Sequence, residues 1–190
     1  MTDLAGIVLA GGAARRLSGV DKPMLEIDGK PLLRRAVDAL AAASPVVVVG
    51  PERPGIGGVL WTREEPPGGG PVAALAAGIA LVDTPLVAVL AGDLVAMTSS
   101  TVDNLRDALG GHDGAVLVDG EGHRQWLIGL WRTESLRAAL PAVPAGASLR
   151  GVLGALDIAD VPAGAGEGVD VDTPADLARY TDGSQPSHGS

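Results

Sequence analysis

The 190-residue chain contains no cysteine and no phenylalanine. Without cysteine it has no disulfides, no thiolate metal ligands and no cysteine nucleophile. Aromatic residues make up only 2% of the chain, although hydrophobic residues make up 46%. We therefore expect a core of valine, leucine, isoleucine and alanine, as in a parallel sheet buried between helices.

Long apolar runs are also missing from the sequence. No stretch reaches the roughly 20 apolar residues that span a bilayer, and the N-terminus lacks a basic segment followed by a long apolar one. These features predict a protein without a membrane segment, located in the cytoplasm. The three histidines, His112, His123 and His188, do not have the spacing of metal ligands.

Positive charge is scarce overall but concentrated near the N-terminus. The formal net charge is −9, which argues against a nucleic-acid partner because such binding depends on neutralising phosphates with lysine and arginine. Residues 1–35 hold six lysines and arginines against four acidic residues, whereas the remainder holds eight against nineteen. This distribution favours a small phosphorylated ligand bound near the N-terminus.

Short apolar strands alternate with helical segments along the chain, which predicts an α/β fold with a single doubly wound, mostly parallel sheet. The second half predicts a short antiparallel element, because two strands there flank a glycine-containing turn. We expect one domain over residues 1–182 and a disordered tail over 183–190. The predicted strands cover 5–10, 45–49, 59–62, 86–91, 115–118, 125–131 and 158–161, and the predicted helices cover 31–43, 71–82, 100–109, 133–140, 148–156 and 174–180.

The first strand runs into a glycine-rich loop that carries cations. Gly11 and Gly12 follow the strand, and Arg15, Arg16 and Lys22 come next. Glycines let backbone N–H groups approach an anion closely, and the cations meet its charge. The loop therefore predicts phosphate binding, although it matches neither the dinucleotide-binding fingerprint nor the P-loop.

Residues 9–22, LAGGAARRLSGVDK, resemble the signature L-A-G-G-x-x-x-R-x-G-x-x-x-K of nucleotidyltransferases. Within that group the chain is most similar to the molybdenum cofactor guanylyltransferases, and the similarity continues through residues 25–33. One departure is Ser18, which stands where the signature has glycine. The resemblance implies a Rossmann-like nucleotidyltransferase fold.

The resemblance also implies a reaction: transfer of GMP from GTP to the terminal phosphate of molybdopterin, with Mg²⁺ as cofactor and pyrophosphate as product. It implies catalytic roles for Arg16 and Lys22 at the phosphates and for Asp93 at the metal, and Gly11 favours GTP over CTP. The nucleotide-binding residues that it implies are Leu9, Ala10, Gly11, Gly12, Arg16, Lys22, Gly70 and Asp93.

Two aspartates are the candidate metal ligands. Asp93 ends a strongly apolar strand, and an ionised carboxylate there needs a partner such as Mg²⁺ on nucleotide phosphates. Asp172, in the segment VDVDTP, is the second candidate. Helix capping is the alternative for each, because a helix follows Asp93 and Pro174 begins a predicted helix just after Asp172.

Other interpretations stay open from the sequence alone. Segments 50–52 and 63–65 do not repeat the family's usual base-reading asparagine and aspartate, so a cytidylyltransferase or another small-molecule nucleotidyltransferase is one alternative. A non-catalytic nucleotide-binding protein is another. Trp126 is interpreted either as a stacking partner for a pterin ring or as a core residue. Beyond GTP and molybdopterin, we expect transient contacts with other molybdenum cofactor proteins and leave the oligomeric state open.

Overall fold

The structure is a computed structural model that describes residues 2–11, 21–164 and 166–167. Several sequence predictions fall outside these residues. They concern Gly12 and Arg16 in the glycine-rich loop, Asp172, the final helix and the tail.

One large sheet organises the described chain. The strands in chain order are β1 (Leu4–Leu9), β2 (Glu26–Ile27), β3 (Lys30–Pro31), β4 (Val46–Val49), β5 (Leu60–Thr62), β6 (Leu86–Ala91), β7 (Gly114–Val118), β8 (Arg124–Arg132) and β9 (Ile158–Pro162). Seven of them form a sheet in the order β5-β4-β1-β6-β8-β7-β9, and β2 pairs with β3 in a separate hairpin. Within the seven-stranded sheet as described, only β8 runs antiparallel to its neighbours. The predicted mostly parallel sheet with a short antiparallel element is confirmed.

Helices cover both faces of the sheet. They are α1 (Leu32–Ala39), α2 (Pro71–Ile79), α3 (Ser99–Leu109), α4 (Thr133–Ala139) and α5 (Leu149–Leu153). Helices α1 and α3 pack on one face, and α2, α4 and α5 pack on the other. Because the central strands are buried on both faces, they are apolar along their whole length, as β1 and β6 show.

Aliphatic side chains fill the core, as the composition predicts. Ile7, Val8 and Leu90 are fully buried, and each such side chain stabilises the fold by about 1.5–3 kcal/mol through the hydrophobic effect. The exception is Trp131 on β8, which is also fully buried. Its indole ring occupies the space that side chains at Gly114 and Gly129 would fill, since ideal Cβ atoms there would lie 2.2 and 2.8 Å from it. Two glycines therefore make room for one large aromatic residue.

Some helices end earlier than the sequence predicts. Helix α1 ends at Ala39 and α2 at Ile79, although the apolar pattern continues for three or four residues in each case. After α1 the backbone N–H of Leu40 donates to Val37 O and that of Ala43 donates to Leu40 O, three residues back. Residues 40–43 thus form tight turns rather than further α-helix, and in them Leu40 is buried whereas Ala41 and Ala42 are exposed.

Every helix in the described part of the chain falls short of the length and apolar character needed to cross a bilayer.

Asp113 joins three elements at the amino end of β7. Its carboxylate accepts hydrogen bonds from Ser135 Oγ at 2.7 Å and from the backbone N–H of Asp157 at 3.1 Å, just before β9. The hydrogen bond from Ser135, together with that from Asp157, holds the pKa of Asp113 below its ordinary value. The ionised carboxylate therefore stabilises the packing of α4 and β9 at this edge.

We expect the Asp113→Asn variant to be less stable than the parent near neutral pH, and the difference in stability to become smaller in acid. A carboxyl whose pKa is lowered by folding stabilises the native state above its unfolded pKa of about 3.9, and this contribution is lost as the pH falls through the lowered value. Thermal midpoints measured by circular dichroism from about pH 7 to about pH 3 test this. The exposed Asp103→Asn variant is the matched control, and a deficit of equal size at both ends of the range would contradict the expectation.

Candidate functional site

The strand order identifies one edge of the sheet as the candidate site. β1 lies between β4 and β6, and the chain proceeds from it to β4 on one side and later to β6 on the other. Ligands of open parallel sheets bind at the carboxyl ends of the strands where the order reverses in this way. For this protein that point lies between the residue after β1, Ala10, and the residue after β6, Gly92.

The carboxyl ends of β1, β4 and β6 are joined by backbone hydrogen bonds. The N–H of Gly92 donates to Leu9 O at 2.9 Å, and the N–H of Ala10 donates to Val49 O at 2.8 Å. Gly50 lies directly against this turn, because an ideal Cβ on it would be 2.8 Å from the carbonyl carbon and oxygen of Ala10. A glycine at position 50 is therefore required for the turn that leads into the glycine-rich loop.

Asp93 follows Gly92 at this junction. It is half-buried, and the two residues after it, Leu94 and Val95, are buried. Asp93 thus follows an apolar strand beside the turn at Leu9–Gly11, at the position where a metal-binding aspartate is predicted.

Lys22 lies at the far end of the glycine-rich loop. It begins a short 3-10 helix, Lys22–Met24, and is buried. The preceding residue, Asp21, accepts two hydrogen bonds from the guanidinium of Arg53, at 2.6 and 2.7 Å. Arg53 lies in the loop between β4 and β5, so this loop holds the end of the segment that carries Lys22.

Glu64 is a buried carboxylate at the same edge, and it is not among the site residues predicted from the sequence. It is 8% exposed and accepts a hydrogen bond at Oε1 from the backbone N–H of Gly68 at 3.1 Å. Its other oxygen, Oε2, lies 3.9 Å from the position of an ideal Cβ on Gly11. The sequence did contain a signal for Glu64. This residue comes just after β5, and the carboxyl end of β5 lies at the same edge of the sheet as Asp93.

Gly70 precedes α2 with φ of 89°, a conformation that favours glycine. Its carbonyl accepts the first hydrogen bond of the helix, from Ala74, and Pro71 occupies the first turn, where its missing N–H is not needed. Through the Gly68–Glu64 hydrogen bond this loop connects to Gly11. The N-terminus of α2, with its partial positive charge, therefore belongs to the same region as the glycine-rich loop.

The hairpin between β7 and β8 lies farther along the same edge. The Asp119 carboxylate accepts hydrogen bonds from the backbone N–H groups of Glu121 and His123 and from Gln125 Nε2. The backbone hydrogen bond from His123 is the largest cause that lowers the pKa of Asp119. An ionised Asp119 therefore organises this turn.

Trp126 on β8 is half-buried and packs against the core cluster that includes Leu153 of α5. The guanidinium carbon of Arg124 lies 5.8 Å from the centre of its ring. Stacking of Trp126 on a pterin ring stays a prediction.

The predicted residues of the site that are described lie at one edge of the sheet. They are Leu9, Ala10, Gly11, Lys22, Gly70 and Asp93. Gly12, Arg16 and Asp172 lie outside the described residues. Among the described residues, no group of three or more histidine, cysteine, aspartate or glutamate side chains comes together as a metal site. The binding roles of these residues stay predictions.

The chain matches the family model for the "MobA-like NTP transferase domain" over residues 6–161. It is also similar to a molybdenum cofactor guanylyltransferase of Bradyrhizobium sp. (strain ORS 278), with 33% identity over 153 residues that cover 73% of this chain and 72% of the relative. A probable molybdenum cofactor guanylyltransferase of Natronomonas pharaonis is 30% identical over 125 residues, and the match spans 61% of this chain and only 62% of that relative's length.

A solved structure supports the fold assignment. A nucleotidyl transferase from Methanothermobacter superposes with a TM-score of 0.77 at 19% sequence identity, covering 94% of this chain and 96% of that one. The described fold is therefore that of nucleotidyltransferases.

We expect Gly50→Ala to lower the free energy of unfolding by about 1–3 kcal/mol, because the added Cβ overlaps the backbone of Ala10 and the turn must move. Gly57→Ala, in the same loop, is the matched control, since a Cβ there meets no atom within 4 Å. Urea denaturation followed by fluorescence measures both variants. Equal stabilities of the two variants would show that the close approach of Gly50 to Ala10 does not exclude a side chain at position 50.

Proposed function

The chain belongs to the MobA-like NTP transferase domain family and is a nucleotidyltransferase, and we propose that it transfers GMP from GTP to the terminal phosphate of molybdopterin. The family match and the curated relatives together support GTP-dependent guanylyl transfer in molybdenum cofactor biosynthesis. The observation that carries the proposal is the junction of β1 and β6, where the start of the glycine-rich loop and Asp93 lie next to each other.

In the proposed reaction an oxygen of the molybdopterin phosphate forms a bond to the α-phosphorus of GTP. The bond between that phosphorus and the oxygen bridging to the β-phosphate breaks, and pyrophosphate leaves. No general base is required because the attacking phosphate is already ionised. The chain must therefore position the two substrates and balance their negative charge.

Lys22, with Arg16, is proposed to bind the triphosphate. In-line transfer at phosphorus depends on groups that stabilise charge where it develops, and a buried lysine beside the loop is such a group;. The N-terminus of α2 after Gly70 adds a partial positive charge in the same region.

Asp93 is proposed to hold Mg²⁺, with Asp172 as a second ligand. Magnesium uses one or two protein carboxylates and completes its shell with phosphates and water, so a carboxylate at the end of an apolar strand fits its requirements. The segment before Asp172 supports this pairing: Gly166 approaches Ala96, three residues after Asp93, and Glu167 accepts a hydrogen bond from Thr101. When bound, the ion would neutralise charge on the phosphates.

Glu64 is proposed to read the guanine base. Guanine presents two neighbouring N–H donors, at N1 and N2, and a carboxylate accepts both. Cytosine offers one amino group beside a ring nitrogen acceptor, so it leaves one carboxylate oxygen without a donor, and unpaired buried polar groups are costly. The proximity of Glu64 to Gly11, which the sequence associates with the base, supports this role.

The cytoplasmic location and the transient contacts with other molybdenum cofactor proteins remain predictions from the sequence. Molybdopterin as the acceptor forms part of the proposed function.

We expect the protein to release pyrophosphate from GTP only when both Mg²⁺ and molybdopterin are present, and Asp93→Ala to reduce this rate by about 100-fold or more. The loss follows from removal of a carboxylate proposed to hold the metal beside the phosphates. The assay measures pyrophosphate and the labelled dinucleotide product with each of the four NTPs.

Asp83→Ala is the matched control, because Asp83 is fully exposed in the loop before the same strand, β6. Its rate should equal that of the parent. Full activity of Asp93→Ala would remove this aspartate from the mechanism. Binding of GTP without turnover in the parent protein would favour a non-catalytic nucleotide-binding protein.

We expect Glu64→Gln to weaken GTP binding about tenfold or more, because a hydrogen bond to a charged group is lost. The ratio of the CTP dissociation constant to the GTP dissociation constant should become smaller in the same variant. Isothermal titration calorimetry with each nucleotide measures both effects. The neighbouring Glu65→Gln, at an exposed residue, is the control. An unchanged preference in Glu64→Gln would exclude Glu64 from base recognition.

A further inference from the structure

Arg53 is a buried arginine outside the residues so far assigned to the reaction. It lies in the loop between β4 and β5, and 8% of its surface is exposed. Its guanidinium donates through Nε to Asp21 Oδ2 at 2.6 Å and through Nη2 to Asp21 Oδ1 at 2.7 Å, and Nη1 donates to Pro51 O at 3.3 Å. Two parallel charge-assisted hydrogen bonds to one carboxylate fix both the distance and the orientation of the partner.

The carboxylate that Arg53 holds has no local role of its own. Asp21 stands at the N-cap position of the 3-10 helix Lys22–Met24, yet its side chain makes no capping hydrogen bond there. Only its backbone carbonyl joins the turn, by accepting from the N–H of Met24. The side chain of Asp21 therefore serves the contact with Arg53.

The same loop holds both ends of the glycine-rich segment 12–20. Gly50 lies against Ala10 and Gly11 before that segment, and Arg53 binds Asp21 after it. Residues 50–53 thus contact the chain just before the glycine-rich segment, at Ala10 and Gly11, and just after it, at Asp21.

The contact is poorly suited to be a source of stability alone. Desolvating the guanidinium of Arg53 costs free energy that the ion pair offsets only in part. The side chain of Asp21 is 47% exposed, so water can solvate it when Arg53 is replaced. The fold should therefore tolerate loss of the contact between Arg53 and Asp21.

We infer that Arg53 is a positioning residue for nucleotidyl transfer, which acts through Asp21 to place Lys22 against the triphosphate of the bound nucleotide. The inference rests on the proposed function, because it takes Lys22 as the residue that contacts phosphate.

A double-mutant cycle on the full-length protein tests this inference. The variants are Arg53→Met, Lys22→Met and the combination of both, assayed for kcat and KM with GTP, Mg²⁺ and molybdopterin. Arg53→Met should lower kcat/KM about 100-fold, because a displacement of about 1 Å at a reacting centre has such an effect. In the Lys22→Met background the same change should have an effect of about twofold or less, since residues that act through one another are not additive.

Two further variants separate positioning from structure. Arg53→Lys keeps the charge but lacks the planar fork that forms two parallel hydrogen bonds, so it should restore only part of the rate. Arg106→Met removes a surface arginine paired with Asp3 and should keep the parent rate. Thermal denaturation of each variant checks that the fold is retained.

Equal effects of Arg53→Met in the two backgrounds would overturn the inference, as would a parent-like rate in Arg53→Met. If Arg53→Met does not fold, Asp21→Asn takes its place in the cycle with the same expected results. If the parent protein transfers no GMP, the proposed function fails, and the cycle is then judged on GTP dissociation constants from calorimetry. If the parent protein is active but the effects of the two substitutions add, the positioning role of Arg53 is contradicted and the proposed function is not.

Discussion

The junction of three strand ends is the constraint on which the site depends. The N–H of Gly92 bonded to Leu9 O joins β6 to β1, and the N–H of Ala10 bonded to Val49 O joins β1 to β4. These hydrogen bonds bring the residues that follow each strand to one line along the sheet edge. Because the strands are buried on both faces, their positions are held by the whole core. Asp93 and the start of the glycine-rich loop are therefore presented by a rigid scaffold.

The loop between β4 and β5 is the part of this scaffold that contacts both ends of the glycine-rich segment. Gly50 limits the path of the chain before the glycine-rich segment, and Arg53 limits it afterwards through Asp21. The chain following β5 adds Glu64 to the same region. A nucleotide bound at this edge would thus lie near residues that follow β1, β4, β5 and β6.

Much of the fold was predictable because its signals are local. The apolar run 86–91 predicted β6 with its observed bounds, and the turn around Gly122 predicted the pairing of β7 with β8. Helix ends were less predictable, since the apolar pattern continues after α1 through Ala41 and Ala42, which are exposed in tight turns. The positions of Asp93 and Gly11 at strand ends were also expected from the sequence. Glu64 and Arg53 were not, because their importance depends on contacts across more than 30 residues with Asp21 and Gly11.

The sequence by itself determined the alternation of strands and helices, the aliphatic core and the glycine-rich loop that resembles a nucleotidyltransferase signature. These properties follow from composition and from short-range patterns, which one segment of chain carries alone. Tertiary structure decided the strand order, the burial of Glu64 and the two hydrogen bonds between Arg53 and Asp21. The physical reason is that burial and ion pairing depend on which distant segments meet, and the sheet edge brings those segments together only when the whole core has formed.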